Sequence, residues 1–315
     1  MDIYDFRKHV SETLAIPSHD VARLIARAPH TYKKYEIKKK DGGSRSIAQP
    51  AKETKVIQRL LMEALFCDLP VHECAVAYKL GSSIKKNAQL HRQNQFISKF
   101  DFSNFFGSIT EKDVAAHLRH VFIGKISEQS ILDIARTCCI RNSLTGILCL
   151  SIGAPSSPIL SNSILYYFDI AIQTWCNERD IIYTRYADDM TFSSNERGVT
   201  SLVEKFLTHT LKNIKYPHLI LNEKKTIHLS KKHQRRITGL VVSNDGLVSL
   251  GREKKRLISV MIHHYLLKKL DHKDIPILQG LLGFAQDAEP LFVARMRGKY
   301  GSPAISEIMR GRIKK

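Results

Sequence analysis

The spacing of apolar and polar residues changes period several times along the chain, and each change predicts an element. Residues 2–14 and 19–28 carry apolar positions at helical spacing and predict two short helices, with Ser18 as N-cap of the second. Tyr32–Lys38 alternates with period two, Asp41-Gly42-Gly43 supplies a turn, and Ser44–Gln49 returns as a second strand that Pro50 stops. Residues 52–67 predict an amphipathic helix with Val56, Leu60, Leu61, Ala64 and Leu65 on one face. Gln95–Phe100 predicts a strand that delivers Asp101 at its end, and 111–121 and 127–140 read as helices.

Pro155 and Pro158 stand at the start of a predicted long helix running to Asn177, where first-turn N–H groups lack an intrahelical partner in any case. Ile181–Tyr186 and Met190–Ser194 predict strands flanking a tight Ala187-Asp188-Asp189 turn. A helix over 199–212 follows, then short strands at 219–221, 226–229, 235–242 and 247–250. From Arg252 the pattern is helical almost to the end. The whole predicts an α+β protein that closes on a basic helical lobe.

Composition narrows the class. A hydrophobic fraction of 43% over 315 residues supports a large core. No stretch is apolar for the roughly 18 residues a membrane helix needs, and the N-terminus lacks a signal-peptide pattern. A cytoplasmic protein with no membrane partner is the expectation. Six cysteines occur, none in a C-x-x-C pair, which argues for reduced buried thiols and against structural zinc. Lys plus Arg number 49 against 30 Asp plus Glu, a net charge of +19 spread along the chain. That excess points to a polyanionic partner, nucleic acid above all.

The chemistry concentrates in two segments. Tyr183-Thr-Arg-Tyr-Ala-Asp-Asp-Met-Thr-Phe192 sets two adjacent acids between apolar strands, which is costly unless a cation compensates them. Phe96-Ile-Ser-Lys-Phe-Asp101 is another strand ending in a carboxylate. Together they can form a two-metal site, whose oxygen ligands select magnesium, with manganese as the substitute.

These segments and three others resemble, in order, the motifs of reverse transcriptases. Arg45-Ser-Ile-Ala-Gln-Pro50 is similar to the fingers motif, and Asp101 with Phe106 to the first palm motif. Gly153-Ala-Pro-Ser-Ser-Pro158 with Ser161 and Asn162 resembles the loop beneath the nucleotide. Tyr186-Ala-Asp-Asp189 resembles the catalytic hairpin, and Asn222-Glu-Lys-Lys-Thr226 the motif carrying a nucleotide-side lysine. The resemblance implies a right-hand polymerase fold, with fingers, a palm built on an antiparallel sheet, and a helical thumb. Residues 1–240 would form fingers and palm, and 241–315 the end of the palm and the thumb.

It also implies roles. Asp101, Asp188 and the Phe102 backbone carbonyl would hold two Mg2+ ions, with Asp189 supporting or joining them. Arg45 would clamp the triphosphate of the dNTP, Gly153 would belong to the nucleotide loop, and Lys225 would lie near the leaving phosphates, with Lys224 the alternative. Phe106 would exclude a ribose 2′-hydroxyl. The family usually has Pro-Gln where this chain has Ser151-Ile152.

Asn87-Ala-Gln-Leu-His91 and Arg235-Arg-Ile-Thr-Gly239 resemble two elements of retron reverse transcriptases in particular. Asn87, His91, Thr238 and Gly239, with Arg252, Lys254 and Lys255 of the basic lobe, would then contact RNA. In that lobe Leu257, Ile258, Met261, Ile262 and Tyr265 would face a core. A retron enzyme primes DNA synthesis from a guanosine 2′-hydroxyl within a cognate noncoding RNA. It makes a branched RNA–DNA product and acts in anti-phage defence with a separate effector protein. The competing readings are a group II intron-like or other bacterial reverse transcriptase, a nonenzymatic RNA-binding scaffold, and a basic DNA-binding regulator.

Overall fold

The computed structural model describes residues 3–38 and 42–311. Its elements begin α1 (Phe6–Leu14), α2 (Ser18–Arg27), β1 (Tyr32–Lys38), β2 (Ser44–Pro50), α3 (Lys52–Ala64), α4 (Ile84–Leu90), β3 (Phe96–Asp101), α5 (Phe105–Ser108), α6 (Glu111–Val121) and α7 (Glu128–Cys138). They continue β4 (Ile140–Arg141), β5 (Leu148–Cys149), α8 (Ser157–Ile164), α9 (Tyr166–Asn177), β6 (Ile182–Tyr186), β7 (Asp189–Ser194), α10 (Val199–Asn213), β8 (Ile227–Ser230), β9 (Arg235–Ile237), β10 (Leu240–Val242) and β11 (Val248–Ser249). Helices α11 (Arg252–Leu266), α12 (Ile275–Ala288), α13 (Pro290–Tyr300) and α14 (Ser302–Arg310) complete the order. The expected turn residue Asp41 and the tail 312–315 lie outside the described residues.

Two compact units result, and each is discontinuous in sequence. The first takes the chain up to Lys79, Lys99–Met190 and Ser201–Thr226; the second takes Leu80–Ser98, Thr191–Thr200 and the chain from Ile227 onward. Helix α4 and the far half of β7 fall in the second unit with the C-terminal helices. The four-stranded sheet has the order β6-β7-β3-β8.

In the first unit β1 and β2 form an antiparallel hairpin, from Tyr32 opposite Pro50 to Lys38 opposite Ser44. Only its base is buried, where Ala48 joins Ile140 and Cys149. Short polar residues fix the helix starts here. Ser127 caps α7, and Thr110 with Asp113 forms a reciprocal capping box on α6. Ser18, in contrast, is the first residue of α2 rather than its cap; Pro17 holds that place with extended backbone.

Two further expectations are corrected. Helix α3 buries Thr54, Ile57, Gln58 and Leu61, while Val56 is exposed. Its inward face is turned because Gln58 has partners inside, Tyr32 Oη at 3.2 Å and the Thr137 carbonyl at 2.9 Å. The helix expected to reach Asn177 unbroken divides at Leu165, whose ψ of 7° ends α8 and whose side chain is fully buried.

In the second unit α4 packs on β9–β11 and on α12, over a core that includes Ile237, Leu240, Ile258, Ile262, Leu278 and Leu282. The strand expected over 235–242 is a hairpin. Thr238 (φ 45°) and Gly239 (φ 84°) form its two-residue turn, so Ile237 faces Leu240. Left-handed backbone at both turn positions matches the right-handed twist of paired strands. Ile258, Met261 and Ile262 of α11 are buried and Tyr265 packs at the edge of this core, but Leu257 is 48% exposed, so it does not join them.

Among the described residues no helix is long and apolar enough to cross a membrane. All six cysteines are free thiols; Cys67 is exposed and the others are buried.

Candidate active site

Strand β3 ends at a carboxylate because the chain continues into a second pairing. Asn222 N–H donates to the Asp101 carbonyl at 2.7 Å and Ser103 N–H to the Ile220 carbonyl at 2.8 Å, leaving Phe102 opposite Leu221. The expected strand over 219–221 is thus reduced to this single bridge. Both bridging bonds bypass the Phe102 carbonyl, which the ladder at this pair does not use. The same pairing carries the chain into a short turn, Glu223–Lys225, that returns Lys225 to Asp101. Its Nζ lies 2.9 Å from both Asp101 carboxylate oxygens.

Strands β6 and β7 are joined by Ala187 and Asp188 alone, with Ala187 in the left-handed region (φ 58°). Asp188 and Asp189 are half-buried at the tip. Burial pushes the Asp101 carboxyl up to about 6; the bond from Lys225 opposes the rise, and the charges of Asp188 and Asp189 add to it. Burial and Asp189 likewise raise Asp188, while its own backbone hydrogen bond, Lys225 and Arg45 hold it down. Acids that destabilise one another this way favour a cation among them. Lys225 supplies one. Among the described residues no three His, Cys, Asp or Glu side chains already converge as a ready-made metal site.

Arg45, Tyr78, Asp101, Phe106, Asp188 and Lys225 share one cleft of about 670 Å3. The sequence-derived candidates Arg45, Phe102, Phe106, Asp101, Asp188 and Lys225 are therefore brought together, and Lys225 rather than Lys224 faces the cleft. Phe106 is half-exposed there, whereas Phe105 is the core ring, stacked on Phe102 at 5.6 Å between centroids. Gly153 does not line the cleft. Its φ of 115° and a would-be Cβ only 2.9 Å from the Ala48 carbonyl show that it lets the loop close on β2, where Ala48 N–H donates to the Ile152 carbonyl at 2.8 Å. Ile152 itself lines the cleft, and Tyr78 was not anticipated.

The residues expected to contact RNA are distributed differently. Asn87 is 1% exposed and His91 0%. His91 Nδ1 lies 2.7 Å from Ser193 Oγ, which also accepts from Asn94 Nδ2 at 2.8 Å. Side chains without surface cannot touch a polynucleotide in this conformation, so the expectation that they read RNA directly is corrected: they build the second unit. Thr238 donates to the Ile84 carbonyl at 3.2 Å, tying the hairpin to the start of α4. Lys254 donates to the Gly239 carbonyl at 3.0 Å, and Lys255 pairs with Glu289 at 2.7 Å. Arg252 remains exposed, as does Arg256, which was not singled out. Arg235 is fully buried and donates to the Asn94 and Ser243 carbonyls.

The family model described as "Reverse transcriptase (RNA-dependent DNA polymerase)" matches residues 37–242. Retron Ec83 reverse transcriptase of Escherichia coli is 39% identical over 93% of this chain and 94% of its own length. Retron Ec73 reverse transcriptase, also of Escherichia coli, is 33% identical over 89% of this chain and 90% of its own. Among solved structures, telomerase from Candida albicans in complex with a TWJ fragment of telomeric RNA aligns at a TM-score of 0.49. Its identity is 13%, over 97% of this chain and 63% of that one. The ordered motifs, the shared cleft and the full-length relatives agree: the chain belongs to the reverse transcriptases, has their α+β right-hand polymerase fold, and is a retron-type RNA-directed DNA polymerase.

Proposed function

We propose that this polymerase copies a cognate structured noncoding RNA into branched multicopy single-stranded DNA, starting from a guanosine 2′-hydroxyl within that RNA. The observation that supports its chemistry best is the meeting of Asp101 and Asp188 in one cleft with Arg45 and Lys225. The donor set fits two Mg2+ ions, or Mn2+ in their place. It offers hard oxygen ligands from Asp101, Asp188, the Phe102 carbonyl that the bridge to Leu221 leaves aside and, beside them, Asp189. Such ions, when bound, supply a lower pKa for the attacking hydroxyl and charge neutralisation for the triphosphate.

The chain's own side chains do the rest. Arg45 clamps triphosphate oxygens with its planar fork. Lys225, whose ammonium is held by Asp101, would release that carboxylate for a triphosphate oxygen. The Phe106 ring occupies the space a ribose 2′-hydroxyl would need. The product stays with the enzyme, and a separate effector completes an anti-phage complex in the cytoplasm. The exposed Arg252 and Arg256 support RNA contact at the head of α11.

Two measurements test this. Nucleic acid copurifying with the protein, digested separately by RNase and DNase, should prove to be DNA joined to RNA through a branch; RNA alone, or unbranched DNA, would overturn the retron reading. Asp188→Asn should abolish primer extension while RNA retention persists, because an amide coordinates Mg2+ far less well than a carboxylate. Near-normal extension by that variant would remove the two-metal assignment.

A further inference from the structure

The turn that presents Asp188 is gripped from behind. Arg185, on β6, and Asp169, on α9, are both 0% exposed and form a two-bond pair, Nε to Oδ1 at 2.9 Å and Nη2 to Oδ2 at 2.5 Å. Tyr183 Oη donates to the same Asp169 Oδ1 at 2.9 Å. The remaining guanidinium nitrogen, Nη1, donates at 3.1 Å both to Asn162 Oδ1 and to the Ala187 carbonyl. Asn162 is fixed in turn, its amide donating to the Ala77 carbonyl at 3.0 Å. One planar group therefore links two helices to the peptide bond that enters Asp188.

Stability alone does not account for such a pair. Replacing a buried ion pair by apolar residues of equal volume is often neutral or stabilising, because desolvation offsets the attraction. Direction is what the pair adds. Ala187 holds a left-handed conformation that L residues disfavour, and it is half of a two-residue turn. Rotating the peptide after it would swing the Asp188 carboxylate. Arg185 holds the Ala187 carbonyl, so it reaches Asp188 through the peptide the two residues share. Lysine could keep the charge against Asp169, but a point donor cannot span the carboxylate, the amide and the carbonyl together.

We propose that Arg185, clamped by Asp169 and Asn162, is a positioning residue for catalysis, which fixes the Ala187–Asp188 peptide and so aims Asp188. The proposal rests on the reading of Asp188 as a metal-holding catalytic acid. The test uses the full chain carrying Arg185→Lys, with Asp188→Asn beside it. Thermal melting, primer-extension kcat and dNTP KM, and Mn2+ binding followed by electron paramagnetic resonance are measured on each. Misaiming a reacting group by ~1 Å costs on the order of 100-fold. A folded Arg185→Lys should therefore lose about that factor in kcat, keep its dNTP KM, and bind Mn2+ more weakly. Unchanged kcat and Mn2+ binding in a folded Arg185→Lys would overturn the proposal. Should Arg185→Lys not fold, Asn162→Ala decides, since it removes one anchor of Nη1 and leaves the Arg185–Asp169 pair intact. A fall in kcat at unchanged melting temperature supports the proposal, and full activity overturns it. If Asp188→Asn itself extends primers normally, the underlying site reading has failed instead.

Discussion

Replacing His91 by glutamine should remove a loss of stability that the wild-type protein suffers in acid. The imidazole is fully buried, with Nδ1 2.7 Å from Ser193 Oγ. Protonating the ring would place a charge on a group that burial deprives of water. Burial lowers the His91 pKa from 6.5 to about 3. The folded state therefore keeps the ring neutral, while the unfolded chain takes up a proton near pH 6.5. The contribution is fully present above pH 6.5 and is lost as pH falls from there towards 3. Each unit within that window costs up to ~1.4 kcal/mol, so acidifying from ~8 to ~4.5 removes on the order of 2.7 kcal/mol, a large share of a typical stability of ~5–15 kcal/mol. Guanidinium titrations followed by circular dichroism, from about pH 8 to about pH 4.5, give stability against pH for each protein. His91→Gln should begin lower, by ~1–3 kcal/mol for the altered hydrogen bond, and then converge on wild type as pH falls. His117, lowered by burial to about 4, is common to both proteins and cancels in the difference. Parallel curves between pH 6.5 and 4.5 would refute the reasoning.

Phe106→Ala should raise incorporation of ribonucleotides relative to deoxyribonucleotides, because the half-exposed ring faces the cleft while Phe105 supplies the packing. An unchanged ratio in competition assays would mean the ring excludes nothing. Gly153→Ala should cost ~2–4 kcal/mol, since its Cβ would stand 2.9 Å from the Ala48 carbonyl at a φ of 115°. The check is thermal melting, and an unshifted transition contradicts it. Lys225→Met should lower kcat/KM for dNTP by ~10–100-fold, the worth of a charge-assisted hydrogen bond. Steady-state extension at varied dNTP measures it, and wild-type values would show that Lys225 serves only Asp101.

Most of the candidate cleft was legible because its signals are local. A strand ending in Asp101 and two acids between apolar strands can be read within a few residues. The network behind the turn was not legible: Asn162, Asp169 and Arg185 lie on two helices and a strand, and a buried Arg looks like any strand cation until its partners are in view. Polarity misled in the opposite direction at Asn87, His91 and Gln58. His91 and Gln58 find distant partners inside, Ser193 for His91 and the Thr137 carbonyl for Gln58. At 235–242 apolar alternation on both sides of Thr238-Gly239 concealed a hairpin whose turn needs positive φ at both positions. The division at Leu165 carries no Gly or Pro, so no local breaker announces it.

The bond between Lys225 and Asp101 spans 124 residues of chain. A ribosome adding ~5–20 residues each second takes roughly 6–25 s to pass from one to the other. During that interval the nascent chain already displays Asp101, and later the acids of the β6–β7 turn, without the cation that partners them in the finished fold. Loops this long form slowly, since closure entropy is paid before the contact returns anything. Assembly of the cleft is therefore a late event in the life of each molecule, timed by translation of Asn222–Lys225 and not by the early appearance of the acids themselves.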